Sequence, residues 1–173
     1  MGESVYIAKN ARVAKNAYIG DFTIIDEDAE IRQGAFVRGS AIIGKNTVVG
    51  NSTEIKNSIL FDYSQVPHYN YVGDSILGYR AHFGAGAITS NVKGDKGIIK
   101  IVYKGDKIDT GLRKLGALVG DFCEVGCNAV LNPGTVLGWN TQIYPLSLVR
   151  GYIEGNSIFK SPTRIVKREN PIQ

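Results

Sequence analysis

The residues of this chain best suited to proton transfer are its two histidines, His68 and His82. Imidazole is the side chain whose ordinary change of charge falls near neutral pH, so either ring is a candidate proton acceptor. A lone histidine is more often structural, and at this level both readings stay open. His68 opens a compact run, His68-x-x-Tyr71-x-Gly73-Asp74. Two histidines fall short of the three that a three-histidine zinc site needs, and Cys123 and Cys127 lack a partner set. The cysteines therefore read as structural thiols, and no metal is expected. Basic residues bunch in two places: Lys93, Lys96, Lys100, Lys104, Lys107, Arg113 and Lys114, then Lys160, Arg164, Lys167 and Arg168. Each bunch suits a phosphate-bearing ligand or simply forms a solvated loop or tail. Nucleic acid is disfavoured, because no helical or aromatic recognition pattern accompanies the charge.

With 173 residues, 43% of them hydrophobic, the chain has material for one continuous core. No apolar run approaches the roughly 18 residues that a membrane-spanning helix needs. Met1-Gly2-Glu3-Ser4-Val5-Tyr6 contains no basic segment leading into an apolar stretch, so the expected compartment is the cytoplasm.

The elements that must position these residues follow from a repeat. β-Branched aliphatics recur at every sixth position: Ile7, Val13, Ile19, Ile25, Ile31, Val37, Ile43, Val49 and Ile55. Two residues before most of them stands Ala or Thr. Side chains two apart on a strand share a face, so each six-residue unit points one small and one branched side chain inward. Strands this short cannot bury an apolar face alone, but stacked coils of three units can. The series resumes at Val119, Val125, Leu131, Leu137, Ile143 and Val149, where Cys123 falls at a small inward position. The expected fold is all-β, a parallel β-helix over residues 1–155 with a C-terminal extension, 156–173. The stretch from about 92 to 118 breaks the pattern. It contains Ile98-Ile99-Lys100-Ile101-Val102-Tyr103 and a Lys104-Gly105-Asp106 turn, which predicts a protruding hairpin loop. The step also shortens to five from Ile55 to Leu60 and from Val72 to Leu77, an expected functional zone.

Outward residues sort by every third strand. Tyr6, Ile24, Ile42, Ile59 and Ile76 form an apolar stripe that predicts a subunit interface. Arg12, Glu30, Val48, Gln65 and His82 make a mixed second face, and Tyr18, Phe36, Glu54 and Tyr71 a third. Beside the third face, Arg38 and Lys56 lie one coil apart, a cationic pair able to hold a sugar phosphate near Tyr71 or, on the bland reading, an exposed pair near Glu54.

Residues Asn57–Asp74, the Phe83-Gly84-Ala85-Gly86-Ala87-Ile88-Thr89-Ser90-Asn91 run, and the Thr110-Gly111-Leu112-Arg113-Lys114 and Gly126-Cys127-Asn128 stretches carry a more specific signal. Together they resemble the acetyltransferase half of the bifunctional UDP-N-acetylglucosamine pyrophosphorylase/glucosamine-1-phosphate acetyltransferases, archaeal-type members above all. The resemblance covers about Arg38 to Arg150. It implies a left-handed helix of the hexapeptide-repeat acyltransferases and N-acetylation of an amino-sugar 1-phosphate by acetyl-CoA. It also implies His68 as general base, Arg38, Lys56, Tyr71, Asn91 and Lys100 on the substrate, and Ala85, Gly86, Gly120, Asn132 and Lys160 along the acetyl-CoA groove. A homotrimer is the implied assembly. Two departures leave the substrate open: His82 where bacterial members place Asn, and Val92 where they place Tyr. His82 is either a second polar contact or an exposed histidine. Coils begin by Tyr6 with no glycine-rich nucleotide loop, so nucleotidyl transfer is expected from a separate partner. The competing functions are sugar O-acetylation and a non-catalytic β-helix subunit that binds a sugar nucleotide or a partner enzyme.

Overall fold

The computed structural model describes residues 4–169; the two ends of the expected domain ranges, 1–3 and 170–173, lie outside it. Every regular element among the described residues is a strand. Parallel pairing advances by one coil at a time, and it reproduces the three expected faces. On the first face the outward column runs Tyr6, Ile24, Ile42, Ile59 and Ile76 and continues through Leu118, Val136 and Tyr152. The second column is Arg12, Glu30, Val48, Gln65, His82, Glu124, Gln142 and Ile158. The third is Tyr18, Phe36, Glu54, Tyr71, Ile88, Val130 and Leu148. The fold is the hexapeptide-repeat parallel β-helix.

The core is the inward six-residue series, with Ile25, Ile43, Ile55, Leu60, Val72 and Leu131 essentially inaccessible. Most hydroxyls at small inward positions donate to a carbonyl, as Thr47 Oγ1 does to Phe61 O at 3.1 Å and Thr53 Oγ1 to Val66 O at 3.0 Å; the buried Ser64 Oγ is an exception, with no partner among the described residues. Cys123 is fully buried in the same column, and burial pushes its thiol up to about 11, as suits a packing residue.

Every irregular step falls at one corner, where the chain passes from the third face to the first. Both five-residue steps lie there, as does the insertion between Thr89 and Ala117, and the step from Val149 to Ile153 shrinks to four. Strands Phe36–Ile43 and Glu54–Leu60 run continuously round this corner, with a bulge between Val37 and Gly39 that sets Arg38 outside the ladder. The insertion holds an antiparallel hairpin, Lys100–Tyr103 with Asp106–Asp109, turning through Lys104 and Gly105 at positive φ. It lies along the later coils, because Ile99 is buried against Gly134 and the Tyr103 ring packs edge-on to Tyr152 at 4.8 Å. The last parallel strand is Ser157–Ser161, paired with Gln142–Ile143 and followed by an antiparallel partner, Arg164–Lys167.

Candidate functional site

Asp74 organises the irregular corner. Its φ is 51°, a left-handed conformation that Asp tolerates, and the shortened step turns its side chain back against the preceding coil. Lys56 Nζ donates to both carboxylate oxygens at 3.0 and 3.1 Å, and Asn57 Nδ2 donates at 2.8 Å. Asn91 Nδ2 donates to Asp74 as well and to Tyr71 Oη at 3.1 Å. Burial pushes the Asp74 carboxyl up, but the Asn57, Lys56 and Asn91 hydrogen bonds outweigh it and hold the group below the usual carboxylate range. The Tyr71 ring folds over Gly73, where any Cβ would come within 2.5 Å of its hydroxyl. Arg38, one coil earlier, donates to Glu54 at 2.8 Å. The two expected phosphate-binding cations are thus together with Tyr71 and Asn91, but each already faces a carboxylate and the four charges cancel.

His68 occupies the opposite edge of the third face, at the corner from the second face. Strand Gln65–His68 ends on it and strand Tyr71–Gly73 begins beyond it, so the two edges are separated by the width of the face. The imidazole is exposed, and its ring makes no hydrogen bond to any described residue. Its backbone is held from beneath by a residue that motif reading passed over. Asn70 is the one asparagine in the small inward series, 2% exposed. It donates from Nδ2 to Gly84 O at 2.8 Å and Ala87 O at 3.0 Å, while Oδ1 accepts from His68 N at 3.1 Å. The signal was available, since no other such position carries an amide side chain. Beside His68 opens a cavity of about 660 Å³ walled by Arg12, Glu30, Arg32, Gln33 and Asn51.

The remaining expected residues are dispersed. Ala85 and Gly86 lie on the His68 corner, one coil further on, and Lys160 approaches the same corner with its ammonium 5.4 Å from the Tyr144 ring. Gly120 is on the corner between the first and second faces. Asn132 and Lys100 line a third region of about 770 Å³ with Lys93, Lys107 and Arg150, away from Lys56 because the hairpin folds toward the later coils. The glycines are required by the stack itself: a Cβ on Gly86 would meet Asn128 Oδ1 at 2.1 Å and one on Gly120 would meet Trp139 N at 2.8 Å. His82 is a partnered histidine, its Nδ1 2.8 Å from Glu124 Oε2 on the next rung, and that hydrogen bond raises its pKa against the effect of burial. Among the described residues, no group of three or more His, Cys, Asp or Glu is arranged to hold a metal ion, and no helix is long and apolar enough to cross a membrane.

Residues 22–100, which include His68 and the whole Asp74 network, match the family model described as the GMPPB C-terminal domain. A bifunctional sugar-1-phosphate nucleotidylyltransferase/acetyltransferase from Sulfurisphaera tokodaii is 35% identical over 102 residues, 59% of this chain and 25% of that protein. The bifunctional protein GlmU of Methanococcus vannielii is 36% identical over 113 residues, 65% of this chain and 27% of the relative. The chain therefore matches about a quarter of the length of these curated relatives. A hexapeptide transferase family protein from Anaplasma phagocytophilum shares the fold, with a TM-score of 0.55 at 16% identity, covering 96% of this chain and 80% of that one. The resemblance read from the motifs is thus met in relatives of known name: the chain is similar to archaeal bifunctional nucleotidylyltransferase/acetyltransferases and has the hexapeptide-transferase β-helix.

Proposed function

We propose that this chain transfers the acetyl group of acetyl-CoA to the amine of an amino sugar carrying a phosphate ester at C1, with His68 as general base. The observation that carries the reading is the third face itself: an exposed, unpartnered imidazole at one edge, and at the other a polar network presenting Tyr71 and Asn91. The sugar lies between them. The amine nitrogen attacks the thioester carbonyl, the C–N bond forms as the amine proton passes to His68, and the C–S bond breaks to release CoA thiolate, which recovers that proton. Stabilisation of the developing oxyanion would come from a backbone N–H along the acetyl-CoA groove. Arg38 and Lys56 are the expected phosphate contacts, and a phosphate there must displace Glu54 or Asp74. The names of the bifunctional relatives, acetyltransferase joined to sugar-1-phosphate nucleotidylyltransferase, support this substrate class.

Acetyl-CoA would follow the corner of Ala85 and Gly86 toward Lys160. Gly120 and Asn132 belong to the other two corners, so one ligand touches all five only across a subunit interface. The apolar first face supplies such an interface, with Tyr6 71%, Ile24 45% and Ile42 44% exposed beside a groove reaching Leu118, and a homotrimer is the assembly proposed. A separate nucleotidyltransferase would use the acetylated product. The test is CoA release with glucosamine 1-phosphate and galactosamine 1-phosphate. Turnover is expected to fall by about 10²- to 10⁴-fold in His68→Ala. Full activity in that variant would sink the assignment of the base, and no CoA release with any amino-sugar phosphate would sink the activity.

A further inference from the structure

The corner between the first and second faces carries side chains that acyl transfer leaves unused. On successive coils its residues are Phe61-Asp62-Tyr63, Gly78-Tyr79-Arg80, Gly120-Asp121-Phe122 and Gly138-Trp139-Asn140. The third residue of each has positive φ and donates its N–H to a carbonyl of the coil before. Elsewhere on this corner that place holds a residue that tolerates the left-handed region, as Asp28, Asn46 and Asn156 do. The middle coils instead hold Tyr63 at φ 60°, Arg80 at 54° and Phe122 at 58°. A bulky side chain in this conformation strains the backbone, and the strain recurs on consecutive coils.

The rings stand in single file along the prism. Tyr79 packs edge-on to Tyr63 and to Phe122, with centroids 5.5 and 5.4 Å apart, and the Arg80 guanidinium lies over Tyr63 and Tyr79 at 5.3 and 5.6 Å. The Trp139 indole rests against Gly155 of the next coil, where a Cβ would come within 2.8 Å of its Cδ1, yet it is 55% exposed. Asp62 and Asp121 interleave with the rings, and each accepts a backbone N–H on Oδ1, from Lys45 and from Tyr79. The second corner position therefore reads Asp62, Tyr79, Asp121, Trp139, so carboxylate and ring alternate with like groups two rungs, roughly 10 Å, apart.

The shape and charge of the strip select its occupant. It is about 15 Å long and one side chain wide, on a convex edge. A stable protein interface buries roughly 800 Å² on each partner, far more than such a strip supplies. A linear polymer needs only a track of this width, and a repeating ligand matches a repeating site. Two carboxylates against one guanidinium disfavour a polyanion such as nucleic acid. Sugar rings meet both requirements: their C–H faces lie on aromatic rings, and their hydroxyl or acetamido groups donate to carboxylates and accept from a guanidinium. We propose that this aromatic corner binds a linear oligosaccharide of uncharged or N-acetylated hexoses, at a site separated from His68 by the second face.

Trp139 is the chain's one tryptophan, so its fluorescence reports on the corner directly. Titration of the full chain with tetra-N-acetylchitotetraose and with cellotetraose is expected to give a saturable change with at least one of them. That binding should be about tenfold or more tighter than for the corresponding monosaccharide, which covers a single ring. Tyr63→Asn and Phe122→Asn install the residue that the regular coils carry. Each is expected to weaken tetrasaccharide binding by about two- to tenfold, while melting stays level or rises because strain is relieved as the ring is lost. CoA release from amino-sugar phosphates should not change in either variant. No saturable change with either tetrasaccharide would overturn the proposal. So would lower melting with unchanged sugar binding in both variants, the mark of a ladder that only holds the coils together. Displacement of the sugar by CoA would assign the corner to the acyl donor, and a smaller sedimentation coefficient in Tyr63→Asn would assign it to a subunit contact; either result overturns the proposal.

Discussion

Replacing Asn70 by Ala removes the side chain that ties the His68 corner to the next coil. Alanine is the ordinary occupant of this position in the repeat, so the backbone accepts it and the perturbation is confined to the amide. Three hydrogen bonds vanish, to Gly84 O, to Ala87 O and from His68 N. Gly84 O keeps its bond from Ala87 N at 3.1 Å, so that loss is partly covered. The bonds to Ala87 O and from His68 N have no replacement among the described residues, and each is worth about 1 kcal/mol net, with a further penalty for a carbonyl orphaned in the core. Adding the small void gives a destabilisation of about 2–4 kcal/mol. For a chain of this size each kcal/mol lowers Tm by about 2–4 °C, so scanning calorimetry should register a drop on the order of 10 °C. Release of the His68 backbone should also cut CoA release by about tenfold or more at a temperature where the variant is fully folded, since an ångström of misplacement is enough to spoil proton transfer. A variant that melts with the wild type would refute the energetics. One that melts lower but turns over normally would refute the claim that Asn70 positions His68.

Asp74→Asn removes the negative charge that faces Lys56 and replaces one of the two oxygens that Lys56, Asn57 and Asn91 share by a donor; stability should fall by about 3–5 kcal/mol, measured by urea unfolding at neutral pH. Because the folded carboxyl is held below its unfolded range, that stability is present above pH about 4 and is lost as pH falls through the folded value, so the gap between variant and wild type should narrow in acid. The His82 and Glu124 pair works in the other direction. The folded imidazole pKa is raised, so the pair's contribution, at most about 1 kcal/mol for so exposed a contact, is complete below pH about 6.5 and disappears as pH rises through the folded value; Glu124→Gln should flatten that part of the stability profile. Ile42→Asp on the apolar stripe should convert the assembly to monomer in sedimentation at micromolar concentration, and an unchanged sedimentation coefficient would show that the stripe is not the interface.

The fold was legible because its cause is local and repeated. A branched residue every sixth position with a small one two before it has one economical packing, and the columns from Tyr6 to Ile76 and from Tyr18 to Tyr71 emerge in register from that arithmetic alone. The breaks in the period were equally visible. Their meaning was not, because only the closed coil shows that the shortened steps, the hairpin insertion and the four-residue step all stack on one corner. His68, Arg38, Lys56, Tyr71 and Asn91 were named by motif and spacing, yet their partners come from other coils. Glu54 beside Arg38, Asp74 beneath Lys56 and Glu124 below His82 are separated from them by 16, 18 and 42 positions, and these contacts decide which charges are cancelled and which stay free. The sequence by itself determined the repeat, the faces and the identity of the chemical groups. The tertiary structure decided which groups share an edge, since in a helix of coils neighbours in space are set by the number of residues per turn, and the columns of the faces stay in register even where a corner is one residue short.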